Sequence, residues 1–194
     1  VSFSLESPDG DQGYPGNARV TVSYTLTEDN SLKLDYHMVC DADTIANFTN
    51  HAYFNLAGHD SGCAMDQKVW MDADYFTITD AESIPTGKLV SVKGTPMDFT
   101  QMKPLGRDIE ADYEPLKFGN GYDHNWCLNH IPGELALCIK AVDEKSGRAM
   151  EVYTDLPGVQ MYTANSLRPV CAAKDGVYYE KRHGYCFETQ NYPD

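Results

Sequence analysis

Basic residues are scarce in this chain. Lys and Arg total 15 against 29 Asp and Glu, for a formal net charge of −14 over 194 residues. A surface that holds nucleic acid or an anionic membrane needs clustered Lys and Arg, so neither partner is expected. The same imbalance places no limit on a neutral substrate. No apolar run is long enough to cross a bilayer, and no charged-then-apolar leader is recognisable. The six cysteines, Cys40, Cys63, Cys127, Cys138, Cys171 and Cys186, form no C-x-x-C pair and have no His at ligand spacing. Reduced thiols in a cytoplasm are expected, with no structural zinc. Also missing are a serine in a nucleophile elbow, a phosphate-cradling glycine loop and a metal-spaced cluster. The expectation is chemistry without metal or cofactor.

What is present is alternation. Val1, Phe3 and Leu5 alternate with Ser2, Ser4 and Glu6, a strand from the first residue. A Gly/Pro/Asp-rich loop, Asp9 to Asn17, follows. Val20 to Leu26 and Leu32 to Met38 then alternate on either side of a turn, which predicts an antiparallel hairpin. Further strands are predicted around Val69–Thr79, Leu135–Ile139, Met150–Thr154, Val159–Thr163 and Tyr185–Gln190. Pro85-Thr-Gly reads as a turn. From Thr95 to Gly121 the pattern breaks down; at most one short helix fits, near Leu105, and most of the stretch reads as a surface excursion. His37, His59 and His183 are expected in solvent. The fold class is all-β, an antiparallel sandwich or related large sheet, in one domain spanning 1–194 with no internal boundary.

Several of these strands carry polar groups where simple alternation would put core or bare surface. The stretch Asn47–Gly58, NFTNHAYFNLAG, sets His51 between amides and beside Tyr53 and Phe54. Amides suit the hydroxyls of a sugar ring, and aromatic faces suit its C–H surfaces. On an extended chain His51 and Tyr53 share a face, while Ala52 and Phe54 take the other. Gln160 shares a face with Tyr162, and Glu188 with Cys186 and Gln190. Asp123 and Trp126 open another strand. The plausible acid–base pair is His51 with Glu188 or Asp123. Each residue alone has an ordinary structural reading: a hydrogen-bonded core histidine, an exposed strand acid, a structural amide, a turn cap. Together they suggest a carbohydrate site.

The motifs go further. The runs Gly13–Asn17 (GYPGN), Asn50–Gly58 (NHAYFNLAG), Ile84–Gly87 (IPTG), Gly94–Phe99 (GTPMDF), Gly121–Asn125 (GYDHN), Pro157–Asn165 (PGVQMYTAN) and Phe187–Asp194 (FETQNYPD) occur in order. In these the chain resembles the galactose mutarotase, or aldose 1-epimerase, family along its whole length. The resemblance implies a galactose mutarotase-like supersandwich with a sugar cleft on one sheet. It implies His51 as general acid, Glu188 as general base, and Ala52, Tyr53, Asp123 and Gln160 as sugar-binding residues. It also implies interconversion of the α and β anomers of galactose or glucose by ring opening and reclosure. The family's earlier segment, with an Asn-Arg pair and a second active-site histidine, does not precede Val1, and its closing strands do not follow Asp194. The chain is therefore expected to be the middle and later part of such a domain. The remaining strands would come from a second chain or have been left out of the material. The competing expectations are a catalytically silent carbohydrate-binding domain of the same fold and a hexose-phosphate 1-epimerase. The latter would want an Arg or Lys cluster, for which Arg168 and Lys174 are the candidates.

Overall fold

The structure, a computed structural model, describes residues 1–193; the last residue of the Phe187–Asp194 motif lies outside the described residues. They group into two compact units, Val1–Phe48 and Thr49 onward.

The first unit is a three-stranded antiparallel sheet of β1 (Ser2–Ser7), β2 (Ala18–Leu26) and β3 (Leu32–Cys40), in that order. The predicted hairpin is β2–β3, with Val20 opposite Met38 and Leu26 opposite Leu32. The preceding loop returns through Gly16, whose positive φ and near contact with Cys40 leave no room for a side chain: a Cβ there would sit 2.5 Å from the sulfur. Asp41 closes the loop by accepting hydrogen bonds from the backbone and side-chain N–H groups of Asn17. His37 is exposed, as expected.

The second unit holds two antiparallel sheets. The four-stranded one runs β10 (Arg148–Thr154), β9 (Ala136–Asp143), β4 (Lys68–Met71), β7 (Lys103–Pro104). The five-stranded one runs β12 (Cys186–Gln190), β11 (Gly158–Tyr162), β8 (Asp123–Leu128), β5 (Ala73–Thr79), β6 (Pro85–Ser91). Val69, Met71, Ile139 and Ala141 of the smaller sheet share one apolar core with Phe76, Trp126, Val159 and Met161 of the larger. A single short α-helix, α1 (Glu114–Gly119), and two 3-10 turns, Asp11–Gly13 and Lys174–Gly176, accompany the strands among the described residues. None of the helices there is long and apolar enough to cross a membrane.

Trp126 sits at the centre. It is fully buried, meets the rings of Phe76, Phe99, Tyr122 and His124, and donates its indole N–H to the carbonyl of Met97 at 3.0 Å. His124, beside it, is held by the carbonyl of Pro115 and by the N–H of Asp123, which its Nδ1 accepts. Burial pushes its pKa down to about 4, the Pro115 bond opposing, so the ring stays neutral and structural.

Several expectations are corrected. Pro85-Thr-Gly is not a turn but the start of β6; a proline is tolerated there because β6 is an edge strand and Pro85 is its first residue. The helix lies at Glu114–Gly119, with Pro115 near its start and Asn120 in the left-handed conformation at its end, and not at Leu105. Nor is Thr95–Gly121 a surface excursion: Met97, Phe99, Leu105, Ile109 and Leu116 are buried in the core. Lys103 is buried as well, its ammonium satisfied by Asp108 at 2.8 Å and the Pro96 carbonyl at 2.6 Å, above the ring of Phe99. His59 and His183 are half-buried rather than solvated. His59 bonds the Tyr179 hydroxyl at 3.0 Å and approaches Asp175 at 3.3 Å. Arg182, next to His183, is buried; its guanidinium donates to Thr163, Asn165 and the Asn120 carbonyl.

Trp126→Ala should cost about 3–5 kcal/mol of unfolding free energy, from the lost apolar burial plus the void left behind. Urea denaturation followed by circular dichroism measures it; a loss below about 1 kcal/mol would mean that the indole is not the core's centre.

Candidate active site

Three neighbouring strands build the site, and their register decides which side chains meet. In β11, Gln160 stands opposite Asn125 of β8 on one side and Glu188 of β12 on the other. Two residues along, Tyr162 stands between Asp123 and Cys186. The alternate positions Val159 and Met161, with Trp126 and Phe187, go into the core. Because side chains alternate strictly along a strand, sending these hydrophobes inward turns Asp123, Gln160, Tyr162 and Glu188 to the opposite face together. In the next row Gly158 lies between Cys127 and Gln190. A Cβ on Gly158 would come within 2.5 Å of Asn125 Oδ1 and 3.0 Å of the Tyr192 ring, so the packing on this face requires a glycine.

His51 reaches the site differently from the expectation. Its segment is not a strand; the residues before Phe54 have no ladder, and Phe54 alone forms a bridge to Tyr185. That bridge is reciprocal, Phe54 N–H to Tyr185 O at 2.7 Å and Tyr185 N–H to Phe54 O at 3.0 Å. It ties the His51 segment to the residue next to β12. Asn55 reinforces the tie, donating to the carbonyls of Gly62 and His183 and accepting from the Ala57 N–H and Gln67. Its amide, expected as a sugar contact, is thus occupied by the local backbone.

The result is an open cavity of about 490 Å³ whose wall includes His51, Tyr53, Asp123, Gln160, Tyr162 and Glu188. Five of the six predicted site residues therefore converge. Ala52 does not line it; its N–H is held by Asn50 Oδ1 at 3.1 Å. Trp126, grouped with the site by sequence, belongs to the core. Thr77 and Thr79 of β5 line the cavity and escaped the sequence reading, although they share a face by alternation. Cys186 escaped the site reading as well, yet its sulfur lies 3.3 Å from His51 Nδ1. Its sharing a face with Glu188 was the available signal.

His51 Nε2 lies 3.5 Å from Glu188 Oε1; the imidazole is 51% exposed and the carboxylate only 11%. Tyr53 and Tyr162 flank the imidazole, with ring centroids at 5.2 and 5.9 Å. Gln160 Nε2 donates to Asp123 Oδ1 at 2.8 Å. Burial raises the pKa of Glu188; the nearby imidazole opposes the shift and Asp123 adds to it. Burial also raises Asp123, against the Gln160 hydrogen bond and His51. The Cys186 thiol is pushed up to about 12 by burial and by those two carboxylates, so it keeps its proton. No Lys or Arg appears among the described lining residues. Such an arrangement can exchange protons at short range with a neutral, hydroxylated ligand. His51, Cys186 and Glu188 also bring three metal-ligating atoms within 4.8 Å of one another.

An antiparallel sandwich with a carboxylate–imidazole pair in an open cleft defines the class. The family profile described as aldose 1-epimerase matches residues 1–194, and the chain belongs to that family. It is 42% identical over 194 residues to galactose mutarotase of Bos taurus, covering all of this chain and 55% of that protein. It is 38% identical over 196 residues to aldose 1-epimerase of Haemophilus influenzae, covering 56% of it. Among solved structures, galactose 1-epimerase from Lactobacillus acidophilus superposes with a TM-score of 0.86 at 30% identity, over 99% of this chain and 54% of that one. An aldose epimerase homologue from C. elegans gives the same TM-score at 28% identity, over 100% and 56%. The chain spans about half the length of the curated relatives it matches.

The raised pKa of Glu188 predicts a pH-dependent stability. The folded state keeps this proton to higher pH than the unfolded chain, so wild-type stability falls as pH rises from the ordinary glutamate range through the folded value. Glu188→Gln should therefore gain stability over wild type across that window and hold the gain at neutral pH. Comparing the two at each pH cancels the contribution of His124. Urea midpoints at pH 4 and pH 7 test this; a variant that loses ground on going to pH 7 would contradict the burial argument.

Proposed function

We propose that the protein interconverts the α and β anomers of a free aldose, galactose or glucose, by opening and reclosing the pyranose ring. The observation that carries this reading is the His51–Glu188 pair, 3.5 Å apart on the wall of a cleft whose described lining holds no Lys or Arg. Family membership and the names of the relatives, galactose mutarotase and aldose 1-epimerase, support it.

The reaction needs one proton removed and one delivered. Glu188 takes the proton of the anomeric hydroxyl while His51 gives one to the ring oxygen; the C1–O5 bond breaks and an aldehyde forms. Rotation about C1–C2 presents the other carbonyl face, and closure returns both protons. The two oxygens share C1, so groups that serve both must themselves be neighbours, as His51 and Glu188 are. Asp123 and Gln160, bonded to each other, fix the ring hydroxyls, and Tyr53 offers a face to the C–H surface. Ala52 contributes through its N–H bond to Asn50, which shapes the segment carrying His51 and Tyr53.

A phosphorylated hexose fits less well. The described cavity lining supplies no cation for a phosphate, and Arg168 and Lys174 are exposed and outside it. A silent binding module would have no use for a partly buried base beside an imidazole. The free thiols fit a reducing cytoplasm as the place of action.

Polarimetry of fresh α-D-galactose and α-D-glucose tests the reading. The protein should speed equilibration, and Glu188→Gln should lower the rate by roughly 10²–10⁴-fold. As the medium is acidified, activity should fail above the ordinary glutamate range, because burial holds the Glu188 proton longer. Saturable sugar binding with no acceleration would make this a binding module; an unaltered rate in Glu188→Gln would remove the base.

A further inference from the structure

The pair at the centre of the cleft has a third member with which anomer exchange has no need to interact. Cys186 is fully buried, occupies the row beside Glu188, and presents its sulfur to His51 Nδ1 at 3.3 Å, while the other ring nitrogen lies 3.5 Å from Glu188. We infer that His51, Cys186 and Glu188 form a binding site for a soft divalent cation of the zinc class, and that its occupancy shuts off the site.

The donor set is imidazole, thiol and carboxylate, the three side-chain types zinc takes, and the sulfur selects against magnesium and calcium. In a tetrahedral zinc site, bond lengths near 2.0–2.3 Å put neighbouring ligand atoms about 3.3–3.8 Å apart. The sulfur and the imidazole nitrogen already stand at 3.3 Å, and all three ligand atoms lie within 4.8 Å, so a closing movement of about 1 Å completes the geometry. The surroundings favour a cation: Asp123 adds a second carboxylate to the wall, and no Lys or Arg stands among the described lining residues. The half-exposed His51 lets an ion in from the cleft. Binding would form a metal–sulfur bond and break the S–H bond, the thiol proton leaving to solvent; the imidazole coordinates through a neutral nitrogen. A fourth position stays open to water. Both members of the acid–base pair are then committed to the ion, which is why occupancy stops anomer exchange. The site itself stands apart from the proposed reaction; the shut-off rests on it.

Cobalt(II) and zinc are the probes. Titrating cobalt into the chelator-stripped protein should give, at one equivalent, the charge-transfer absorption of a thiolate-bound ion. Cys186→Ser should abolish that band and weaken zinc, measured against a chromophoric chelator, by at least about tenfold. Glu188→Gln should weaken zinc while keeping the band. Cys63→Ser and Cys171→Ser, at exposed thiols, should change neither. In polarimetry, zinc should stop the wild-type protein and spare Cys186→Ser. A thiolate band surviving in Cys186→Ser, cobalt bound by the wild-type protein without any such band, or no zinc binding would overturn the site. If the protein does not accelerate mutarotation at all, the cobalt band still decides for or against the site, separately from the fate of the anomer reading. Unfolding curves on each variant identify any that merely fails to fold, and Glu188→Gln reads the site independently of the sulfur.

Discussion

The register of β11 between β8 and β12 is the constraint on which the rest of the second unit depends. A slip of one residue in either pairing would drive Gln160 and Tyr162 into the core and bring Val159 and Met161 out. The buried partners of the hydrophobes, Trp126 and Phe187 among them, therefore hold the polar row in place without touching it. Gly158 belongs to the same device. By having no side chain it admits Asn125 and Tyr192 to the space over it on that face, where a Cβ would clash with both.

A second, weaker constraint delivers His51. Its segment has no ladder of its own, so its position depends on the Phe54–Tyr185 bridge and on the Asn55–Gln67 amide network beneath it. Gln67 is itself shared, accepting from the Leu56 N–H and the Tyr185 hydroxyl. The imidazole is thus placed by a short, fully hydrogen-bonded connection to the strand that bears its partner. The electrostatic arrangement costs stability: two carboxylates stand in a partly desolvated face beside one half-exposed imidazole. Nothing in the fold calls for them there, and unfavourable polar placement of this kind is characteristic of sites.

Much of this was legible beforehand, for a physical reason. Alternation with period two survives in the sequence, so the β2–β3 hairpin, β9, β10, β11 and β12 could be read directly, and so could the faces of Gln160, Tyr162, Glu188 and Cys186. Which strands would lie side by side could not, because pairing across long separations leaves no local trace. Trp126 was misplaced for another reason, since alternation alone puts it, three residues from Asp123 along β8, on the opposite face and in the core. His51 was put on a strand because three extended residues alternate like one; the missing partner ladder is a tertiary fact. The Thr95–Gly121 stretch looked like surface because Pro and Gly disrupt its period, although its hydrophobes still fill the core from irregular backbone. Pro85 looked like a stop, and only an edge position makes it a start. The charged run around Arg182 concealed a buried guanidinium whose partners come from elsewhere in the chain.

The central claim is that the face carrying Asp123, Gln160 and Glu188, completed by His51, receives a hexose. A crystal structure with galactose bound tests it most directly. The account predicts the sugar in this cleft, its anomeric hydroxyl within hydrogen-bond reach of Glu188, its ring oxygen toward His51, and other hydroxyls on Asp123 and Gln160. Galactose seated elsewhere, or in the cleft with C1 turned away from both His51 and Glu188, would contradict it.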